Sequence, residues 1–420
     1  MSSILEAASR LEGYDPDSLH VERAREIIRA MLRPARGTQR LFIREALGRV
    51  LAAEVISPID VPAHDNSAMD GYALRGADLA PEGETRLRIA GSALAGQPYA
   101  QSVGAGECVR IMTGAVMPAE CDSVVVQEVV RVEGDYAVIP AGEKPGRNLR
   151  RAGEDLSAGR PALGPGCILG PARIGLLASL GIAEVTVRRR LRVAILSTGD
   201  ELCSIGAQPA PGEIFDSNRY TLFGMVSRLG CEVIDLGVVP DRPEALEAAL
   251  REAAECADVI LTSGGVSVGE ADFIRPLVSR LGEVLFWKIA MKPGRPLAFG
   301  RIGGAFLFGL PGNPVAVMVT FHQFVRAALL VLMGVDPLPR TPLVPAVCAE
   351  PLKKAPGRTE YPRGVLFEEG GRWCVRPAGA QGSGILRSMA EADCFIVLEH
   401  ERGAVRAGET VTVQMLDDGL

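Results

Sequence analysis

Residues 258–272, DVILTSGGVSVGEAD, carry the strongest indication of the fold in this chain. The first six residues form an apolar, β-branched run followed by glycines, which predicts a buried strand ending in a tight turn. In open α/β sheets such turns lie at the carboxyl edge, where ligands bind. Gly264 and Gly265 would let an anion approach the backbone N–H groups closely. An ordinary tight turn would show the same glycines, so for them alone both interpretations stay open.

Two acidic residues, Glu270 and Asp272, follow this turn. Carboxylates do not suit a bare phosphate, but they suit one that arrives with Mg²⁺, because hard cations take oxygen ligands. From residue 191 onward, strand-like runs alternate with helical patterns on either side of this stretch. That alternation predicts right-handed crossovers and a parallel sheet.

Turns that follow parallel strands lie at one edge of the sheet, so their charged residues should gather there. The residues concerned are the acids Asp200, Glu201, Asp241 and Asp272 and the bases Lys288, Lys292 and Arg295. Mixed charge at one edge is what a Mg²⁺-bound polyphosphate requires. A single acid at a helix start is explained equally well by the helix dipole.

A second loop, GLPGNP at residues 309–314, precedes a long apolar helical pattern. Pro311 and Pro314 fix φ, and Pro314 suits the first helical position. The N-terminus of the following helix could then bind an anion, next to Gly312 and Asn313.

The N-terminal half contains two helical patterns, at residues 19–32, which Pro34 stops, and at residues 41–55, followed by a polar loop. Residues 75–150 predict a β-rich module, with Thr113 at a strand-to-glycine turn. The loop GRNLRRAGED carries Arg150 and Arg151. It is either a phosphate clamp, which the planar guanidinium suits, or a solvated loop.

After a proline-rich linker at residue 336, five short strand patterns predict a small β-barrel or sandwich. A glycine-rich loop at residues 378–393 carries Gln381, Ser383 and Arg387. It is either a ligand loop or a connector of the barrel.

Composition excludes several classes of protein. The 420 residues include 45 basic and 51 acidic side chains, a net charge of −6, which predicts no nucleic-acid or membrane partner. Nine scattered cysteines without a CxxC pair indicate reduced thiols, so we expect a cytoplasmic protein. The N-terminus lacks the pattern of a signal peptide. The longest late apolar run, residues 327–333, is too short to span a bilayer.

Seven motifs together resemble the molybdopterin molybdotransferase family of molybdenum cofactor biosynthesis, which includes the C-terminal domain of gephyrin. They are DNSAMDGYA, RIMTGA, GRNLRRAGED, STGDEL, TSGGVSVGEAD, WKIAMKPGRP and GLPGNPV, in family order over three-quarters of the chain. The C-terminal β module fits as well. One departure is Ala152, where the family often has a third arginine.

The resemblance implies a multidomain α/β fold. It has a central α/β molybdopterin-binding domain with a parallel sheet, a helical and β N-terminal part, a small β-rich inserted domain and a C-terminal β-barrel. We predict domains at residues 1–57 plus 153–187, 58–152, 188–335 and 336–420.

The resemblance also implies an enzyme that inserts molybdenum from molybdate into adenylylated molybdopterin, with Mg²⁺-dependent release of AMP. It implies a homodimer in which the small β-rich domain of one subunit reaches the cleft of the other. The implied catalytic residues are Asp70, Thr113, Arg150, Glu201, Asp241 and Asp272, of which Glu201, Asp241 and Asp272 are the metal ligands. The substrate-binding candidates are Asp200, Ser263, Gly264, Gly265, Ser267, Lys288, Lys292, Pro311, Gly312, Asn313 and Pro314.

Two other functions remain open at this point. A molybdopterin adenylyltransferase shares the α/β domain and its two loops, but not DNSAMDGYA or the C-terminal module. A non-enzymatic scaffold, as gephyrin additionally is, would not need acids and bases aligned at one edge. Other proteins of cofactor biosynthesis are possible partners.

Overall fold

The computed structural model describes residues 14–264 and 274–416. The candidates Gly265, Ser267 and Asp272 therefore lie outside the described residues, as does Glu270. The predicted class is confirmed: a central α/β unit is joined to β-rich N-terminal units and to a closed five-stranded barrel. The exact domain boundaries stay a prediction.

The N-terminal part is built mainly from short strands. In chain order its main elements are α1 (Val21–Met31), β1 (Thr38–Phe42), β2 (Val55–Ile56), β3 (Asn66–Ser67), β4 (Gly71–Leu74), β5 (Thr85–Ala93), β6 (Glu107–Ile111), β7 (Ser123–Val126), β8 (Arg131–Glu133), β9 (Tyr136–Ile139), β10 (Leu149–Arg150), β11 (Pro161–Leu163), α2 (Pro171–Ser179) and β12 (Glu184–Arg188). The small inserted unit is a six-stranded sheet in the order β7-β4-β6-β5-β9-β8.

The second predicted helix, residues 41–55, is wrong. Its first residues belong to β1, which pairs antiparallel with β12 from Thr38 opposite Arg188 to Phe42 opposite Glu184. Turns and isolated bridges follow instead of a helix. The partner strand is about 140 residues away in sequence, so long-range pairing overrides the local helical spacing.

The α/β unit carries the candidate site. Its elements are β13 (Arg192–Thr198), β14 (Leu202–Cys203), β15 (Ile214–Phe215), α3 (Asn218–Arg228), β16 (Glu232–Val239), α4 (Pro243–Cys256), β17 (Val259–Ser263), α5 (Ile274–Leu281), β18 (Gly282–Lys288), β19 (Met291–Lys292), β20 (Pro296–Ile302), β21 (Ala305–Leu310), α6 (Pro314–Thr320), a π-helical turn (Phe321–Val325) and α7 (Arg326–Leu332). The main sheet has the order β16-β13-β17-β21-β20-β18.

This sheet is mixed, not wholly parallel as predicted. β16, β13, β17 and β21 are parallel, whereas β20 runs antiparallel to both β21 and β18. β20 and β21 form a hairpin, which Gly303 and Gly304 close between Ile302 and Ala305. Because β18 runs in the same direction as β21, the end of β18 still faces the edge where the parallel strands end.

Apolar side chains cover both faces of the sheet. Leu222 and Val226 of α3 join one core with Ile195 and Leu261. Leu246, Leu250 and Ala253 of α4 join the other core with Ala194, Leu196 and Ile260. Successive strand residues alternate between the two cores, as the period of a strand dictates.

The C-terminal part confirms the five predicted strands and closes them into a barrel. Its elements are β22 (Leu343–Cys348), β23 (Thr359–Glu360), β24 (Arg363–Glu369), β25 (Arg372–Pro377), α8 (Arg387–Ala390), β26 (Cys394–Val397) and β27 (Thr410–Met415), and the ring order is β22-β25-β24-β26-β27. β23 lies outside the ring and pairs in parallel with β19. This short ladder joins the barrel to the α/β unit.

One helical stretch in the described part of the chain, Pro314–Leu332, is long and apolar enough to cross a membrane. Its most apolar window is 72% buried inside the protein, which is the environment of a core helix. The apolar run that was too short to span a bilayer, residues 327–333, overlaps only the last part of this stretch.

Candidate functional site

Three of the predicted acids meet at the edge where the parallel strands end. The backbone N–H of Asp241, after β16, donates to Oδ1 of Asp200, after β13, at 3.1 Å. Burial raises the pKa of Asp241, and the neighbouring carboxylates of Asp200 and Glu201 raise it further. Both effects disfavour the ionised form of Asp241. The second effect arises because three acidic side chains lie together at this edge of the ligand-free protein.

Gly199 allows Glu201 to fold back over the turn. Its φ of +149° is in the region that favours glycine. A Cβ at this position would lie 2.5 Å from Oε2 of Glu201. Any side chain at 199 would therefore push the carboxylate away from its present position.

Two glycine loops lie beside these acids. Ser263 is buried at the end of β17, and Gly264 follows with a φ of +89°. The N–H of Gly264 donates to the carbonyl of Leu310 at 3.2 Å, which ties this loop to the end of β21. A Cβ on Gly264 would lie 2.5 Å from the carbonyl oxygen of Thr198, so only glycine fits there.

The loop after β21 leads directly into α6. Asn313 is the N-cap residue and Pro314 occupies the first turn, as predicted from the sequence. Pro311, Gly312 and Asn313 line a cleft of about 950 Å³ between the α/β unit and the barrel.

The cleft is lined by more basic than acidic side chains. The bases are Lys292, Arg295, Lys353, Arg358 and Arg363, and the acids are Glu350 and Glu360. In a chain with a net charge of −6, this is a local excess of positive charge. Such a cleft suits an anionic ligand.

Lys292 does not lie on the main sheet. Its backbone pairs with Glu360 in the β19–β23 ladder, and its Nζ is 3.9 Å from Oε2 of Glu360. Glu360 is buried and also accepts a hydrogen bond of 2.9 Å from Nε of Arg358. One carboxylate thus faces two cations at the wall of the cleft.

Lys288, by contrast, is held away from the other candidates. It ends β18, and its Nζ is 2.6 Å from Oδ1 of Asp17. The two lysines therefore occupy separate ion pairs on different strands, and the structure does not bring them together as the sequence predicted.

The sequence did not single out Arg363, which shapes the wall of the cleft. Its guanidinium is almost fully buried, donates to Ser388 Oγ at 3.0 Å, and binds the carbonyl oxygens of Ala380 and Gly382 at 3.0 Å. Burial lowers the pKa of Arg363. The glycine-rich loop at residues 378–393, which the sequence left as either a ligand loop or a connector, lines the cleft. The carbonyl oxygen of its Ser383 accepts a hydrogen bond from the N–H of Val315 in α6.

The remaining candidates lie in the small inserted unit. Oδ1 of Asp70 accepts two hydrogen bonds of 2.7 Å, from the N–H and the hydroxyl of Thr113. These bonds, with the more distant Arg110, lower the pKa of Asp70. Arg150 lies on β10 opposite Asn66 of β3, with its side chain exposed.

Within the described residues, no hydrogen bond or ion pair connects Asp70, Thr113 or Arg150 with the acids of the α/β edge. Ala152, the departure from the family pattern, donates its backbone N–H to Oδ1 of Asp65 at 2.8 Å. Arg151 reaches Oδ2 of the same carboxylate at 2.8 Å.

Residues 14–264 and 274–416 contain no group of three His, Cys, Asp or Glu side chains placed to hold a metal ion. The predicted third acid, Asp272, lies outside these residues. Oδ1 of Asp241 is buried and has no partner at hydrogen-bond geometry, although the nearby Thr198 hydroxyl lowers the pKa of this carboxylate and partly opposes the effect of burial. A buried, unpaired carboxylate oxygen beside two further acids fits a divalent cation, which takes oxygen ligands.

Comparisons with known proteins bear on the whole chain. Family models described as "MoeA N-terminal region (domain I and II)", "Probable molybdopterin binding domain" and "MoeA C-terminal region (domain IV)" match residues 19–181, 194–330 and 345–416. A molybdopterin molybdenumtransferase of Haemophilus influenzae is 46% identical over 382 residues, which are 90% of this chain and 93% of that protein. The chain belongs to the molybdopterin molybdenumtransferase family.

Other members of the family agree with this result. Molybdopterin molybdenumtransferase 2 of Mycobacterium tuberculosis is 35% identical over 402 residues, covering 94% of this chain and 98% of its own. A crystal structure of the molybdopterin biosynthesis moeA protein from Pyrococcus horikoshii superposes with a TM-score of 0.82 at 28% identity, over 95% of this chain and 100% of that one. The resemblance found from the motifs is thereby confirmed.

Proposed function

We propose that this enzyme, which inserts molybdenum into molybdopterin, takes the molybdenum from molybdate, acts on adenylylated molybdopterin and releases AMP in a Mg²⁺-dependent reaction. The observation that carries the proposal is the buried, unpaired Oδ1 of Asp241 beside Asp200 and Glu201. This acidic edge lies next to two glycine loops, in a member of the molybdenumtransferase family. The proposal unites the acids and the loops in one polyphosphate site.

Glu201, Asp241 and Asp272 would hold the Mg²⁺ ion in this proposal. When bound, Mg²⁺ neutralises charge on the phosphate oxygens and acts as a Lewis acid. The protein's own contribution is placement: Gly199 leaves room for the Glu201 carboxylate, and the Asp241 N–H orients Asp200. Ser263, Gly264 and the loop from Pro311 to Pro314 would bind the nucleotide-linked pterin.

The basic cleft would receive molybdate, with Lys292 as its principal contact. Lys292 is already close to Glu360, so an anion there would compete with this carboxylate for the ammonium group. Arg358 would then compensate the charge of Glu360. The role of Lys288 would be indirect, since its ammonium group faces Asp17.

The protein would act as a homodimer. Among residues 14–264 and 274–416, no hydrogen bond or ion pair joins Asp70, Thr113 or Arg150 to the acidic edge, so a second copy would bring them to it. Exposed apolar side chains in the α/β unit support such an interface: Ile205, Ile214 and Phe223 are 60%, 57% and 50% exposed. Burial of exposed apolar surface favours association.

Three further expectations belong to this proposal. The protein would act in the cytoplasm, with no nucleic-acid or membrane partner. It would meet other proteins of cofactor biosynthesis, since its pterin substrate arrives adenylylated. The four segments delimited in the sequence would act as its domains.

The decisive experiment is reconstitution with adenylylated molybdopterin, Mg²⁺ and molybdate. We expect AMP release together with transfer of molybdenum to the pterin, and neither without Mg²⁺. Consumption of ATP with unmodified molybdopterin would instead identify an adenylyltransferase. Binding of a protein partner without any AMP release would identify a scaffold.

A further inference from the structure

A short segment at the start of α3, residues 216–219, is anchored on two strands of the sheet. The buried carboxylate of Asp216 accepts hydrogen bonds from Ser197 Oγ of β13 at 3.1 Å and from Nε of Arg219 at 3.0 Å. Nη1 of Arg219 donates to Oδ2 of Asp235 on β16 at 2.6 Å. The two ends of the segment are therefore fixed by buried charged groups.

Between these anchors lies Asn218, the first residue of α3, which is only 9% exposed. Its Nδ2 donates to Ser263 Oγ at 2.8 Å and to the carbonyl oxygen of Gly312 at 2.6 Å. A carbonyl only accepts, so the amide nitrogen must be the atom that faces Gly312. Asn218 thus connects the end of β17 with the loop after β21.

These two partners belong to the two glycine loops of the proposed site. The loops are directly linked, because the N–H of Gly264 donates to the carbonyl oxygen of Leu310 at 3.2 Å. Together with its anchors, the segment contacts β16, β13, the end of β17 and the loop after β21, and these four parallel strands follow one another in that order in the sheet. Oδ1 of Asn218 is buried without a hydrogen-bond partner, so the side chain is held through its amide nitrogen alone.

We infer that Asn218 is a positioning residue that fixes the separation of the two loops which hold the nucleotide-linked pterin. The inference rests on the proposed function. Without Asn218, the loops lose their common hydrogen-bond donor, while the charged side chains of the acidic edge and Lys292 in the cleft keep their partners. The KM for adenylylated molybdopterin should therefore rise, whereas the molybdate dependence should stay as in the wild type.

Asn218→Asp gives this role a distinctive signature. The ionised carboxylate cannot donate to Gly312, but a protonated carboxyl group can. The charged groups around this position are Asp216 and Arg219 in the segment, Asp235 on β16, and Asp200, Glu201 and Asp241 at the same edge. Arg219 is already paired with Asp216 and Asp235, so the surroundings favour protonation as the pH falls.

The test measures KM for adenylylated molybdopterin, and AMP release, between pH 5 and pH 8. Wild type, Asn218→Ala, Asn218→Asp and the neighbouring control Ser217→Ala are compared. Ser217 precedes α3 but makes no capping hydrogen bond with its side chain, so its variant should match the wild type. At pH 8 both Asn218 variants should raise KM at least about tenfold, and Asn218→Asp alone should recover at low pH.

Exchange of the backbone amide hydrogens of Gly312, Asn313 and Val315 without ligand gives a second readout, independent of activity. It should accelerate in Asn218→Ala and not in Ser217→Ala. Wild-type exchange and KM in Asn218→Ala would overturn the inference, as would equal loss in both Asn218 variants at every pH. If wild type releases no AMP, the proposed function fails, and the exchange data still decide whether Asn218 ties the loops.

Discussion

The backbone N–H of Asp241 donates to Oδ1 of Asp200 at 3.1 Å, so two acids from different turns are held side by side. Glu201 adds a third negative charge, and one oxygen of Asp241 stays buried and unpaired. The ligand-free protein therefore carries an electrostatic cost at this edge, which a bound cation would remove.

Asp241→Asn should make the ligand-free protein more stable at neutral pH. The pKa of Asp241 is raised in the folded state, so folding disfavours its ionised form. This destabilisation is absent below the pKa of the unfolded state and develops as the pH rises to that of the folded state. Each kcal/mol relieved should raise the thermal midpoint by roughly 2–4 °C, as measured by calorimetry.

Mg²⁺ should then raise the thermal midpoint of the wild type and have little effect on Asp241→Asn. The matched control is Asp135→Asn, a substitution in the exposed turn between β8 and β9, which should respond to Mg²⁺ as the wild type does. An unchanged Mg²⁺ response in Asp241→Asn would show that this carboxylate does not hold the cation.

Asp200, Glu201 and Asp241 could be located from the sequence because each follows a strand with a strong apolar pattern. β13, β16 and β17 pack between two layers of helices, so their composition alone marks them. The function of Asn218 could not be found in this way. Its hydrogen bonds join residues 45 and 94 positions away, and no local pattern encodes such distances.

Two predictions failed or were incomplete for identifiable reasons. Residues 41–55 have helical spacing, but their first part pairs with β12 and Gly48 has a φ of +75° in the turn that follows. The antiparallel strand β20 had a local signal, since two glycines between apolar runs are typical of a hairpin. Gly303 and Gly304 would have revealed the mixed sheet.

Lys292→Ala should raise the molybdate concentration needed for half-maximal turnover by about tenfold or more, because an anion would lose a charged donor. The KM for adenylylated molybdopterin should change less. Arg372→Ala, at an exposed position of the barrel, removes a positive charge outside the cleft and is the control. An unaltered molybdate dependence would leave Lys292 as a counter-charge of Glu360, and equal losses for both substrates would mean that it holds a phosphate.

Asp216→Ala should destabilise the protein strongly. It leaves the guanidinium of Arg219, which is 9% exposed, with one carboxylate instead of two. Breaking a buried ion pair in this way costs about 3–5 kcal/mol in the free energy of unfolding. Arg251→Ala breaks an exposed pair with Glu247 and should cost at most about 1 kcal/mol. Urea denaturation of both variants measures the difference, and equal values would show that the anchor of residues 216–219 is dispensable.

Mixing two inactive variants tests whether the active site is shared between subunits. Asp70→Asn removes a carboxylate of the small inserted unit, and Asp241→Asn removes one of the acidic edge. If each site combines the edge of one chain with the inserted unit of the other, a mixed dimer contains one site with both carboxylates intact. Random exchange makes half of the dimers mixed, so about a quarter of all sites should regain AMP release.

The mixing experiment shows whether Asp70 and Thr113 act in the site of the partner subunit or only within their own chain. Each variant alone should be inactive and stay dimeric, as sedimentation would confirm. Thr113→Ala removes the hydroxyl donor to Asp70 but keeps the N–H donor, so it should be impaired less than Asp70→Asn and should also be rescued by Asp241→Asn. No recovery on mixing, with subunit exchange demonstrated by differently tagged chains, would mean that each chain builds its own site. Asp70 would then act within its own chain and not in the site of the partner subunit.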